Sequence, residues 1–251
     1  MAGATREELA ARFWNDRAYM IAMGSSLVFG VCTVAAMLAY PGGTMNDPTT
    51  TGYLFGRNFF SDLGVWTAHN GEPNTVSFGL FFAAMSLVGI GLVVFFAAFQ
   101  RLFTHDATTR RLAVVGSTAG AIAGLCFIGV ALTPADLYLQ PHIALVKWAF
   151  RLFPLAALLY AIAILRTPGY PRRYGWVFVA FSVLLVGYIL LLEFGPSPKA
   201  AAGLVIQVAG QKVIAYASIL GMLVQAYGAR GVAMRGMRRE VGPTPSVAVA
   251  A

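Results

Sequence analysis

Asp62, His69, Asp136 and His142 lie in or beside the polar stretches that separate long apolar runs, and Ser61 adjoins Asp62. Two imidazoles and two carboxylates suit a zinc ion, and the same groups are the proton carriers of acid–base hydrolysis. Their spacing preorganises neither chemistry. No two of the four stand three or four residues apart, and neither HExxH nor HxxxH occurs. Ser61 is no nucleophile elbow, because GxSxG is missing around it. The plainer reading of Ser61-Asp62-Leu63-Gly64 is a cap or turn, in which Ser and Asp oxygens accept backbone N–H bonds and glycine permits positive φ. Pro134 and Asp136 read likewise, as a loop entering the next element. A haem for electron transfer finds no support, since His142 has no partner histidine in another apolar run.

A second set of residues carries charge into the apolar runs themselves. Lys147 and Arg151 are four residues apart, hence on one helix face, and Lys212 follows Gln207 and Gln211. At 1.5 Å per residue, Arg151 sits roughly 13 Å deeper than His142. A cation at the centre of a lipid-facing helix costs about 2.5–3.5 kcal/mol on insertion scales, so such residues normally face the protein interior, paired or functional. The nearest counter-charges are Glu193, Asp136 and Asp62. Either these groups form a polar network that fixes helix packing, or surplus positive charge leaves a pocket for a lipid headgroup or small anion. That pocket would draw on Asn58, Ser61, Asp62, Asp136, His142, Lys147, Arg151, Glu193, Gln211 and Lys212. No cofactor is expected; the metal-site alternative uses Asp62, His69, Asp136 and His142.

The chain that must position these groups is very apolar. Of its 251 residues, 58% are hydrophobic and 11% charged, where a soluble domain carries roughly 25% charged residues. The mean hydropathy is +0.71. Six runs, at 18–40, 76–99, 112–133, 142–165, 176–194 and 204–227, approach or exceed the about 20 residues that cross a hydrocarbon core. Helices satisfy every backbone group internally, and the short alternating strands of an outer-membrane barrel are missing. The expected fold is therefore all-α: a six-helix transmembrane bundle over 18–228, a cytoplasmic segment 1–17, and a cytoplasmic, disordered tail over 229–251. The first run is too long for a signal-peptide core and reads as a retained helix.

Arginines orient the bundle. Arg6, Arg12 and Arg17, then Arg101, Arg110 and Arg111, then Arg166, Arg172 and Arg173, and finally Arg230, Arg235, Arg238 and Arg239 fall on one side. The loops of the other side hold only Arg57 and Lys199. The positive-inside rule then places both termini in the cytoplasm of a plasma-membrane protein. A net charge of +8 is explained by this topology, with some affinity for anionic lipid headgroups. Nucleic acid is not an expected partner, because no basic cluster accompanies a nucleic-acid fold. Cys32 and Cys126 lack CxxC spacing and read as small hydrophobes. Gly116, Gly120 and Gly124 form a small-residue stripe that packs against another helix of the chain, a second copy or a membrane complex. In the long loop 41–75, Tyr53, Phe55, Phe59, Phe60 and Trp66 suit the membrane interface.

The order of the six runs, "FSDLG" after the first, "TPADLYLQPH" between the third and fourth, and "GQK" in the sixth resemble a bacterial and archaeal family of six-helix membrane proteins of unknown function. The stretch "FSDLGVWTAHNGEPNTVSF" is more distantly similar to a segment of the damage-regulated autophagy modulator (DRAM) family, where Ser-Asp-x-Gly precedes a Pro-Glu and a Phe. Ser61, Asp62, Gly64 and Phe78 match, while Glu72 precedes Pro73, the reverse order. The resemblance implies a small integral membrane protein with no catalytic activity to carry over, and marks the Ser61-Asp62-Gly64 loop as part of the architecture. The expected function is binding, sensing or moving a lipid headgroup or small anion at an outer-side cavity. The alternatives are a metal- or acid/base-dependent intramembrane hydrolase and a structural subunit of a membrane complex.

Overall fold

The computed structural model describes residues 5–240, and among them six helices are long and apolar enough to cross a membrane. The chain is a multi-pass, all-α membrane protein. Its helices are α1 (Arg6–Arg12), α2 (Ala18–Ala39), α3 (Thr75–Phe99), α4 (Ala107–Leu132), α5 (Leu139–Arg166), α6 (Arg172–Phe194) and α7 (Ala201–Glu240). A π-helical turn, Phe13–Arg17, joins α1 to α2 without a break. Local chemistry sets several starts. Thr5 and Glu8 form a reciprocal capping box on α1, and the Asp106 carboxylate accepts the Thr109 amide at the head of α4.

Each membrane helix packs on its neighbours in sequence, and α7 returns to α2, so α2 to α7 close into a ring. Short connections make α3 to α7 antiparallel in turn. One end of the ring, the lid end, carries the segment 40–74 with the connections 133–138 and 195–200. The other, the arginine end, carries the connections 100–106 and 167–171 with both terminal segments. Outward-facing Val31, Leu38, Val76, Leu132, Val183 and Leu220 are exposed, an apolar belt that only lipid covers at low cost.

Helix α7 runs through Glu240, well beyond the expected end at 227. Arginine, alanine and methionine favour helix, and Ala229 and Ala233 are buried against the bundle. The tail expected to be disordered from 229 is thus helical to Glu240, and its remainder lies outside the described residues. The small-residue stripe of α4 is filled from within the chain. Gly124 faces the Gly89 carbonyl of α3, Gly120 faces the Phe96 ring, and Gly116 faces Tyr160 of α5. At the arginine end the ring is solid. Phe95, Phe96, Phe99, Phe103, Tyr160, Tyr170, Tyr174 and Phe178 are buried together, with Phe99 and Tyr160 ring centroids 4.4 Å apart. The Tyr160 hydroxyl donates to the Ala113 carbonyl at 3.0 Å, so this aromatic plug leaves its central polar atom satisfied.

Candidate ligand-binding site

The lid end is a folded lid rather than a loose interfacial loop. Strands β1 (Gly42–Thr44) and β2 (Asp47–Thr51) pair antiparallel, a hairpin the sequence reading did not anticipate, and Phe60–Gly64 forms a 3-10 turn. Asp62 caps that turn. Its Oδ2 accepts the Phe59 amide at 3.0 Å and the Asn58 side-chain amide at 2.9 Å. Asn58, fully buried, also donates to the Gly43 carbonyl at 2.8 Å and accepts the Leu54 amide at 2.9 Å. Gly64 has no positive φ; a Cβ there would lie 2.3 Å from the Phe81 ring, so close approach explains the glycine. The expectation that both phenylalanines of "RNFFSDLG" float at the interface fails for Phe60, which is buried in the bundle core while Phe55 and Trp66 stay exposed.

Helix α7 and the connection before α5 hold this lid down. Lys212 is 4% exposed, donates from Nζ to the Asn58 carbonyl at 2.5 Å, and stands over the rings of Tyr53, Phe55 and Phe60. Cation–π and carbonyl contacts of this kind replace the lost hydration. Gln211 Oε1 accepts the Phe60 amide at 2.6 Å. Asp136 takes the Trp66 and Thr67 amides on its two oxygens, each at 2.9 Å. His69 Nε2 stands 3.4 Å from Asp62 Oδ1, an ion-pair distance without hydrogen-bond alignment. The Asp62 carboxylate beside it pushes the imidazole pKa up from its ordinary value.

The ten residues expected to share one pocket therefore divide. Asn58, Asp62, Asp136 and Lys212 are spent on holding the lid. Lys147 and Arg151 lie on the outside of α5, where Lys147 Nζ is 3.2 Å and Arg151 Nη2 2.9 Å from Glu193 Oε1 at the end of α6. Their side chains are 40% and 47% exposed, so this triad is a surface cluster and does not join the buried Lys212. The metal alternative is not assembled either. His142 is engaged elsewhere than Asp62, His69 and Asp136, and no three His, Cys, Asp or Glu among the described residues are gathered to hold an ion.

Ser61, His142 and Gln211 instead line a cavity of about 110 Å³ inside the ring. Its walls are Phe29 of α2, Phe81, Met85 and Leu92 of α3, Phe127 of α4, Phe153 of α5 and Met222 of α7. Along α3, the stretch from Phe81 to Leu92 spans roughly 16 Å, so the cavity is long and narrow. The lid closes it above, with Phe60 and Ser61 as its ceiling, and the aromatic plug lies below. Ser26 and Ser218, also in the wall, return their hydroxyls to carbonyls of their own helices. The three polar groups at the ceiling are different. His142 is buried and places Nδ1 2.7 Å from the Thr133 carbonyl, which can only accept, so Nδ1 carries the proton and neutral Nε2 is an acceptor. That Nε2, the Ser61 hydroxyl and the Gln211 Nε2 have no hydrogen-bond partner among the described residues. Sequence reasoning named these three residues but missed the apolar walls, which look like any other lipid-facing side chains in one dimension.

No known family, curated protein or solved structure matches the chain.

Proposed function

We propose that this integral membrane protein binds an amphiphile in the ring cavity, with its polar head at Ser61, His142 and Gln211 and a single apolar tail between the helices. The observation that carries the reading is one narrow apolar cavity with unpaired hydrogen-bonding groups gathered at one end only. Its size, about 110 Å³, is somewhat below that of a cavity known to take one benzene ring, about 150 Å³, which favours one chain over two. The head must donate to the His142 Nε2 and accept from the Ser61 hydroxyl or Gln211 amide. A hydroxyl does both, as does an amide. No lysine or arginine among the described residues lines the cavity, so this site favours a lipid with a neutral head over a small anion. The aromatic plug makes the cavity blind, which favours binding or sensing over passage through the bundle. The arginine distribution supports placing the lid end outside the plasma membrane and both termini in the cytoplasm.

The test is native mass spectrometry of protein extracted gently from its own membrane. The expected spectrum shows an adduct of lipid mass that is lost when Ala215, in the cavity wall, is changed to Phe. Arg151→Gln, outside the cavity, should leave the adduct in place. An adduct that survives Ala215→Phe in folded protein would overturn the site, and a bare mass in the wild-type chain would overturn the reading.

A further inference from the structure

The arginine end carries a second concavity, separated from the ring cavity by the aromatic plug. It has a volume of about 390 Å³ and lies between the start of α6 and the late turns of α7. Arg173, Arg230 and Arg235 line it, with Tyr174, Tyr227 and Met234, and no carboxylate among the described residues does. One of the three arginines is already committed. Arg230 Nε bonds Asp16 Oδ1 at 2.5 Å, which ties α7 to the turn before α2 and leaves the rest of its guanidinium unpaired among the described residues. Arg173 lies with its guanidinium carbon 5.0 Å from the Tyr174 ring centre and donates to the Tyr174 hydroxyl at 3.3 Å, neither of which neutralises it. Arg235 is exposed and has no acidic partner among the described residues.

Two further features make this a built concavity rather than a chance meeting of surface arginines. A Cβ at Gly228 would lie 2.4 Å from the Tyr174 ring, so glycine is what lets α7 approach α6 and shape the floor. Helix α6 follows Pro171 at its N-cap, with no side-chain cap and no acidic residue in its first turn, so its free amides add positive potential at the same spot. Tyr227, in its lining, is 67% exposed, as aromatic residues are at the level of lipid headgroups.

We propose that this pocket binds a phosphate-bearing anion, its oxygens held by the forked guanidinium groups of Arg173, Arg230 and Arg235. Arginine is the side chain whose planar donor pairs match phosphate oxygens two at a time. The phosphate belongs either to an anionic phospholipid of the adjoining leaflet or to a soluble phosphate, and the chemistry of recognition is the same.

The experiment uses the full chain in detergent, with phosphatidylglycerol, phosphatidylcholine and inorganic phosphate as separate probes. Native mass spectrometry should show phosphatidylglycerol retained in preference to phosphatidylcholine. Changing Arg173 and Arg235 together to Gln should cut that retention about tenfold, as removal of charge-assisted bonds predicts, and changing both to Lys should restore part of it. A soluble source is indicated if inorganic phosphate instead raises the unfolding temperature of the wild-type chain and leaves that of the Gln variant unchanged. Met234→Glu adds a carboxylate inside the pocket without replacing an arginine, and should match the Gln variant should that one misfold. Retention and unfolding temperature that are equal for all chains and all three probes would overturn the proposal.

Discussion

Asp62 and Lys212 show how single residues at the lid end trade chemistry for architecture. Both looked like site residues because each carries charge next to a membrane. Each is now accounted for by bonds to backbone groups of the lid that would otherwise be buried without partners, a loss of about 1–3 kcal/mol per group. His69 adds a pH dependence to the same lid. Its folded-state pKa is raised by Asp62, so its contribution is fully present below the ordinary histidine value of about 6.5 and is lost as pH rises through the raised value. Thermal unfolding of the wild-type protein should therefore move to lower temperature as pH is raised across that window. His69→Gln should remove the slope, and a slope that persists in the variant would assign it to another group.

At the scale of elements, the ring depends on close approach between α3 and α4. A Cβ on Gly124 would lie 2.8 Å from the Gly89 carbonyl oxygen, and backbone cannot step aside as a flexible side chain can. Gly124→Ala is expected to destabilise the protein by about 1–3 kcal/mol, the usual cost of overpacking. Gly30, on α2, has open space where its Cβ would be, so Gly30→Ala should be neutral or slightly stabilising. Unfolding temperatures of the two variants in one detergent make the comparison; equal shifts would mean that the α3–α4 contact is looser than the structure shows. Within α5, position along the helix was legible from sequence but direction was not. The spacing of Lys147 and Arg151 correctly put them on one face, yet that face looks outward to Glu193 rather than into the ring.

For the whole molecule, the ring is hollow toward the lid and solid toward the arginines. That polarity follows from composition along the helices: bulky aromatics from α3, α5 and α6 meet at the arginine end, while the cavity walls mix Phe with Met, Ala and Ser. Orientation in the membrane is a separate question with a direct answer. In a chain whose Cys32 and Cys126 are changed to Ala, Met45→Cys in the lid and His105→Cys at the arginine end are both exposed reporters. A membrane-impermeant maleimide should label the first in intact cells and the second only after permeabilisation. The opposite pattern would invert the bundle and place the cavity on the cytoplasmic side.

Length and hydropathy are properties of a local stretch, which is why six membrane helices could be read directly from the chain. Depth is nearly as local, since it follows from residue number and rise, and it put Lys212 well inside the sixth run. The azimuth of a side chain around its helix, relative to neighbours far away in sequence, is not local. It depended on α7 closing against α2, which buried Lys212 under the lid, gathered Ser61, His142 and Gln211 over one cavity, and left Arg151 outside. The same holds for the glycine stripe: its spacing announced a tight contact, and only the packed ring decided that the contact is with α3 and α5. One-dimensional patterns record what each segment must bury. Which partner buries it is set by how six such faces fit together.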